Sequence, residues 1–217
     1  MECVTPSPAQ LVLVRHGETA WTLSGQHTGT TDLPLTAAGE DQARAVGRRL
    51  EDQAEKGQTF ATVLTSPRAR ARRTASLAGF PDALVVPDLV EWDYGPVEGR
   101  TSDEVSDELG HDWDIFREGV QVVSTDNAVV ENPTPGETLD EVAARARRVI
   151  ASVQATLAGG ESVIVFAHGH LLRVLCAVWL GLPPTSGELF ELDTAATCLL
   201  GSTHDRRSVQ AWNLPPA

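Results

Sequence analysis

The apolar run Leu11-Val12-Leu13-Val14 passes directly into Arg15-His16-Gly17-Glu18-Thr19. An arginine, a histidine and a glycine side by side supply a guanidinium fork for an oxyanion, a nitrogen that titrates near neutrality, and a backbone that a ligand can approach closely. That combination suits a phosphate; the plain alternative is a strand end whose polar residues face water. A second cluster, Ser66-Pro67-Arg68-Ala69-Arg70-Ala71-Arg72-Arg73-Thr74-Ala75, places four arginines at a helix start, where free N–H groups and the macrodipole attract anions. At most two of the four can point inward. Arg72 and Arg73 read as a solvated face paired with the acidic surface, and the spacing leaves Arg68 undecided. A third segment, Leu89 to Gly99, sets carboxylates among apolar and aromatic residues. Such neighbours can raise a carboxyl group's pKa enough to make it a general acid, with Glu91 the candidate, although loop carboxylates more often do no chemistry. The fourth cluster is His168-Gly169-His170, where His168 and the amides of Gly169 and His170 could bond phosphoryl oxygens at a helix N-terminus. A metal triad of His16, His168 and His170 competes with this reading. It is weakened by the lack of an H-E-x-x-H motif, an Asp cluster or Cys ligands.

These residues need elements to position them. Leu11–Val14 has the continuous apolar character of a strand buried on both faces, and Val163-Ile164-Val165 before Ala167-His168 repeats the theme. From Thr36, a plausible N-cap, Ala43, Val46, Leu50 and Ala54 recur at helical spacing until Gly57. Thr62–Thr65 predicts a second strand, Ser66-Pro67 a helix entry with Ser66 as N-cap and a helix running to about Gly79, and Leu84–Val86 a third strand. Thr101 with Glu104 and Thr138 with Glu141 have capping-box spacing and open two more helices. Leu89–Gly99 has the Gly and Pro content of a loop, and Gly119–Gly136, without helical period, predicts a long loop of the kind that forms lids. Cys198–Leu200 and Val209–Trp212 predict a terminal hairpin. The alternation implies an α/β fold, three layers of α/β/α with a mostly parallel central sheet.

The 217 residues predict a single domain over 1–217, with a flexible segment at 1–9. Hydrophobic residues at 41% and charged residues at 22% permit a buried core and disfavour disorder. A net charge of −13 repels nucleic acid and anionic membrane surfaces, so any anionic partner must be met by a focused site. Three cysteines, Cys3, Cys176 and Cys198, with no paired spacing suggest a reducing compartment. The start lacks the pattern of a secretory signal, and Leu171–Leu182, interrupted by Arg173, is shorter than the roughly 20 residues of a membrane span. A cytoplasmic protein without membrane or nucleic-acid partners is expected, as monomer or dimer.

In their order along the chain, these motifs, together with Gly136-Glu137-Thr138, resemble the histidine phosphatase superfamily, also called the phosphoglycerate mutase-like family, from Leu11 to about Trp212. The resemblance implies a phosphoglycerate mutase-like fold and a metal-independent, cofactor-free phosphomonoesterase. It makes His16 the nucleophile that becomes a phosphohistidine and Glu91 the proton donor. Arg15, Arg70 and a protonated His168 complete the phosphate pocket, together with Gly169. The family places the pocket arginine four residues after the serine, which selects Arg70 over Arg68. Two positions depart from the pattern: Thr22 stands where many members carry an asparagine that contacts phosphate, and His170 replaces a small residue, so it could face the substrate. Ser24–Leu35 and Glu91–Gly95 are similar to the acid phosphatase and sedoheptulose-1,7-bisphosphatase-like branch. That similarity puts Gln26, His27, Thr28 and Tyr94 on the substrate side and implies a small sugar phosphate as partner. A mutase is the first alternative and a phospho-ligand binding module without turnover the second. Mutases of the family carry a Lys- and Arg-rich insert after the Glu motif, whereas residues 100–136 hold only Arg100 and Arg117, which favours hydrolysis.

Overall fold

A computed structural model describes residues 9–55, 57–204 and 206–216. Apart from Ala9, the segment expected to be flexible lies outside the described residues. The elements run β1 (Leu11–Arg15), α1 (Ala20–Ser24), α2 (Ala37–Glu55), β2 (Phe60–Thr65), α3 (Ala69–Leu77), β3 (Leu84–Val85), α4 (Ser102–Leu109), α5 (Ile115–Glu118), α6 (Leu139–Ala158), β4 (Ser162–Ala167), α7 (Gly169–Trp179), β5 (Thr197–Thr203) and β6 (Arg206–Leu214). They build one six-stranded sheet in the order β3-β2-β4-β1-β5-β6. The β1–β4, β2–β4 and β2–β3 pairs are parallel; β5 pairs antiparallel with β1 and with β6, which makes the expected terminal hairpin.

Alternation along the strands explains the three layers. Leu11, Leu13, Val163 and Val165 pack on one face with α6 and α7, whereas Val12, Val14, Ile164 and Phe166 pack on the other with Val46 and Leu50 of α2 and Ala75 of α3. A strand covered on both sides has no solvent face to make polar, hence the unbroken apolar runs. Both capping boxes form: Thr101 accepts from the Glu104 amide and Thr138 from the Glu141 amide, and each glutamate returns the bond. Thr36 Oγ1 accepts from the Gly39 amide and caps α2 as expected.

Two local expectations are corrected, and the two expected loops hold short 3₁₀ turns. The helix after β2 starts at Ala69, with Arg68 rather than Ser66 in the extended N-cap conformation; the Ser66 hydroxyl accepts from the Arg68 amide and pairs with His168 at 2.7 Å. The third strand is only Leu84–Val85, an exposed edge. The 89–99 loop borders on a 3₁₀ turn at Pro87–Leu89 and holds another at Gly95–Val97. The 119–136 segment is irregular but for a 3₁₀ turn at Thr125–Asn127.

Register is what assembles the site. Arg15 lies opposite Ala167 and Thr65 opposite Phe166, so the three parallel strands end level and deliver His16, Ser66 and His168 to one edge of the sheet. The His16 amide bonds the Ala167 carbonyl and the Ser66 amide the Phe166 carbonyl, which extends the ladder into the site. In open parallel sheets this carboxyl edge is where ligands bind.

Candidate active site

His16 is 3% exposed. Its Nδ1 lies 2.7 Å from the Gly17 carbonyl, which can only accept, so Nδ1 carries the proton and Nε2 keeps its lone pair. Burial, then the charges of Arg70 and Arg15, hold its pKa well below the ordinary histidine value. The ring is therefore neutral, as a nitrogen nucleophile must be. His168 stands edge-on to it with ring centroids 5.2 Å apart, so the two imidazoles predicted to converge do meet.

His168 is fully buried and receives an Arg70 Nε–H bond on Nδ1 at 3.2 Å, which leaves Nε2 to donate to Ser66 Oγ. An imidazolium has no lone pair to accept the arginine's proton, and burial, Arg70 and His16 all push this histidine's pKa down. In this pocket His168 is neutral, which corrects the expectation of a protonated His168. Arg70, also fully buried, donates to the carbonyls of Thr28, Gly29 and Thr31 and faces Asp32 at 3.8 Å. An incoming oxygen meets Arg70 only by competing with those carbonyls, so its positive field, rather than a free fork, is what the site presents. Arg68 is partly exposed, and Arg72 and Arg73 lie on the surface, Arg73 paired with Glu40.

Arg15 differs from Arg70. Its Nη1 donates to the Leu192 carbonyl, but the buried Nε has no partner. A Cβ on Gly169 would lie 3.2 Å from that Nε, a tight contact to which the guanidinium would have to yield by a few tenths of an ångström. An unpaired arginine N–H at a helix N-terminus is a donor arranged for an anion.

Glu91 is 6% exposed, and its surroundings are not the apolar ones expected: Oε1 accepts from the amides of Trp92 and Leu171, Oε2 from that of His170. The His170 amide is thereby engaged by Glu91, so it is not the phosphoryl donor the sequence suggested. Thr22 lines the cavity, but its hydroxyl accepts from the Thr19 amide and donates to the Thr19 carbonyl, so its proton is committed to capping α1 rather than to a phosphate.

Arg15, His16, Thr22, Gln26, His27, Thr28, Glu91, Tyr94, Gly169 and His170 line one cavity of about 330 Å³. On the substrate side Tyr94 and His170 share a hydrogen bond of 2.6 Å, and His27 and His170 stack with centroids 5.9 Å apart. Burial lowers the pKa of both histidines and raises that of Tyr94, so this wall is uncharged. Gln26 turns its amide to the Gly99 carbonyl, and Thr28 donates to the Gln26 carbonyl. The His16, His168 and His170 rings each bond protein partners and do not converge as a metal triad.

Among the lining residues that the sequence does not single out are Trp113, Phe116 and Arg173. Trp113 just precedes the one-turn helix α5 and Phe116 lies within it, an element too short for a periodic signal. Arg173 stands over the Phe116 ring at 4.6 Å and is anchored to the Gly187 and Glu188 carbonyls. Its signal was a lone charge inside an otherwise apolar helix.

The fold and this site define a phosphate-handling α/β domain whose chemistry centres on an imidazole. The chain belongs to the histidine phosphatase superfamily (branch 1), whose model matches residues 11–215. It is 35% identical to the sedoheptulose 1,7-bisphosphatase of Saccharomyces cerevisiae over 84% of this chain and 70% of the relative. It is 33% identical to an acid phosphatase of Mycobacterium tuberculosis over 94% and 92%. A 2,3-bisphosphoglycerate-dependent phosphoglycerate mutase of Methylobacterium is 38% identical over 79% and 81%. Among solved structures, that of an open reading frame product from Mycobacterium tuberculosis superposes with a TM-score of 0.85 at 31% identity, covering 97% of this chain and all of that one.

Proposed function

We propose that this chain hydrolyses a small phosphomonoester, a sugar phosphate by preference, through a phosphohistidine on His16. The observation that carries the reading is the neutral His16 ring with a free Nε2, under the positive charges of Arg70 and Arg15 and lining one cavity with Glu91. In the first step Nε2 attacks phosphorus, the bond to the ester oxygen breaks, and Glu91 gives its proton to the departing alkoxide. In the second, water attacks phosphorus, Glu91 takes the water's proton, and the P–N bond breaks to return neutral His16. Two displacements of modest barrier replace one difficult one. Arg15 and the field of Arg70 offset the charge on the equatorial oxygens, and no metal is needed because positioning and charge do most of the work in phosphoryl transfer.

Hydrolysis is favoured over isomerisation by the fate of the two cations in residues 100–136. Arg100 pairs with Glu108 and Arg117 with Glu188, each at 2.7 Å, so neither reaches for a substrate carboxylate as a mutase insert would. The names of the yeast and mycobacterial relatives support a phosphatase, the former acting on a sugar bisphosphate. Among the described residues no helix is long and apolar enough to cross a membrane. The free, buried Cys176 and Cys198 support a cytoplasmic setting. The test is phosphate release from sugar phosphates, nucleotides and phosphorylated amino acids in the presence of a chelator. Release that is highest on a sugar phosphate and abolished by His16→Ala is expected. No release from any substrate, or isomerisation of 3-phosphoglycerate outrunning release, overturns the proposal.

A further inference from the structure

One motif of the sequence, Gly136-Glu137-Thr138, has no part in the steps above. Glu137 is half-buried beside α6 and forms a two-pronged ion pair with Arg145: Arg145 Nε meets Glu137 Oε1 at 2.8 Å and Nη2 meets Oε2 at 2.7 Å. The pair does not face the cavity. Arg145, 8% exposed, turns its other donors to the carbonyls of Asp88, Val90 and Glu91. Glu137 Oε2 also accepts the Asp93 amide, its carbonyl accepts the Trp92 indole N–H, and its own amide donates to the Asp93 carbonyl.

Residues 90–94 carry Glu91 but lie in no strand or helix, so no ladder fixes them. The two segments instead touch main chain to main chain. A Cβ on Gly95 would fall 2.6 Å from the Gly136 amide, and one on Gly136 would fall 3.2 Å from the Asp93 carbonyl. From these contacts we infer that Glu137 and Arg145 are positioning residues for the proton donor, an ion pair that does for the Glu91 segment what a neighbouring strand does for His16. The inference rests on Glu91 being that donor. With the pair intact, the Glu91 carboxyl group is held at the head of α7, beside the oxygen that leaves; with it broken, the four side-chain bonds to the backbone of residues 88–93 lose their anchor while the residues around phosphorus keep theirs.

A role in positioning the acid separates from a merely structural one by leaving group. The p-nitrophenolate ion departs without a proton, whereas the alkoxide of glycerol 3-phosphate needs one. Wild type, Glu91→Gln, Glu137→Gln and the double variant are compared on both substrates, with thermal unfolding recorded for each. Glu137→Gln is expected to lower kcat on glycerol 3-phosphate about tenfold to a hundredfold and on p-nitrophenyl phosphate less than about twofold. The double variant should fall no lower than Glu91→Gln alone, because a misplaced donor costs nothing once the donor is gone. Arg145→Lys, which keeps the charge but not the fork, should show the same split if Glu137→Gln fails to fold. Equal losses on both substrates, or additive losses in the double variant, overturn the inference while leaving the donor role standing. A Glu91→Gln enzyme that loses nothing on glycerol 3-phosphate overturns the donor role first and the inference with it.

Discussion

The tips of β1 and β4, with β2 beside them, and the segment from Pro87 to Gly136 meet around the cavity, but they are held in different ways. At the tips, main-chain ladders set position to the residue, with Arg15 opposite Ala167 and Thr65 opposite Phe166. Across the cavity, side chains do that work: Glu98 accepts from the Gly29 and Thr31 amides, Glu137 and Arg145 grip residues 88–93, and Asp93 accepts from Thr134. The contrast matches the division of labour. Every phosphomonoester presents the same tetrahedral group, so the end that receives it can be rigid, whereas the group that leaves varies, and loops braced by side chains can be altered without disturbing the strands.

Substitutions can break or sharpen that contrast. On the strand side, Gly169→Ala would drive a methyl group against the Arg15 guanidinium and is expected to lower kcat about a hundredfold with little change in KM. A comparable rise in KM instead would show that Arg15 serves ground-state binding. On the opposite side, Arg173→Gln is expected to raise KM for a charged sugar phosphate about tenfold while kcat is retained, as for the loss of one charge-assisted contact. A fall in kcat with KM unchanged would place Arg173 with the transition state and blur the division.

Acid separates the two regions less than it tests both. His16, His168, His27 and His170 are all held below the ordinary histidine value by burial. Between about pH 6.5 and those lowered values the unfolded chain binds more protons than the folded one, so stability is full above that pH and is lost as pH falls through the window. Over the same window His16 stays neutral in the folded enzyme, so attack on phosphorus should persist while the melting temperature declines. A melting temperature that rises on acidification would mean charged imidazoles in the folded state. The smallest effect is expected from Thr22→Ala: loss of less than about 1 kcal/mol in denaturant unfolding as the Thr22 half of the α1 capping box is removed and the Thr19 cap stays, with KM nearly unchanged. A tenfold rise in KM would restore Thr22 as a phosphate contact.

How far the sequence reveals this site follows the same division. Runs such as Leu11–Val14 and Val163–Val165 and the Thr101 and Thr138 capping boxes are local signals, so the strand ends, and with them His16 and His168, are legible from residue order alone. What is not legible depends on partners distant in the chain. The Ser66 hydroxyl, expected to cap α3, bonds His168 more than a hundred residues away, and that bond fixes the His168 tautomer. Arg70 was selected by resemblance, yet its engagement with the 28–31 carbonyls, and with it the neutrality of His168, appears only in three dimensions. Arg145 sits in a regular amphipathic helix, where nothing in the spacing marks one arginine as turned inward.

The most direct test of the central claim is to quench the enzyme during turnover and map the covalent phosphoryl group by mass spectrometry. The account predicts label on Nε2 of the residue 16 imidazole, formed and consumed at rates that support kcat and absent from His16→Ala. A phosphoryl group on any other residue, or turnover that survives the loss of this imidazole, would contradict it.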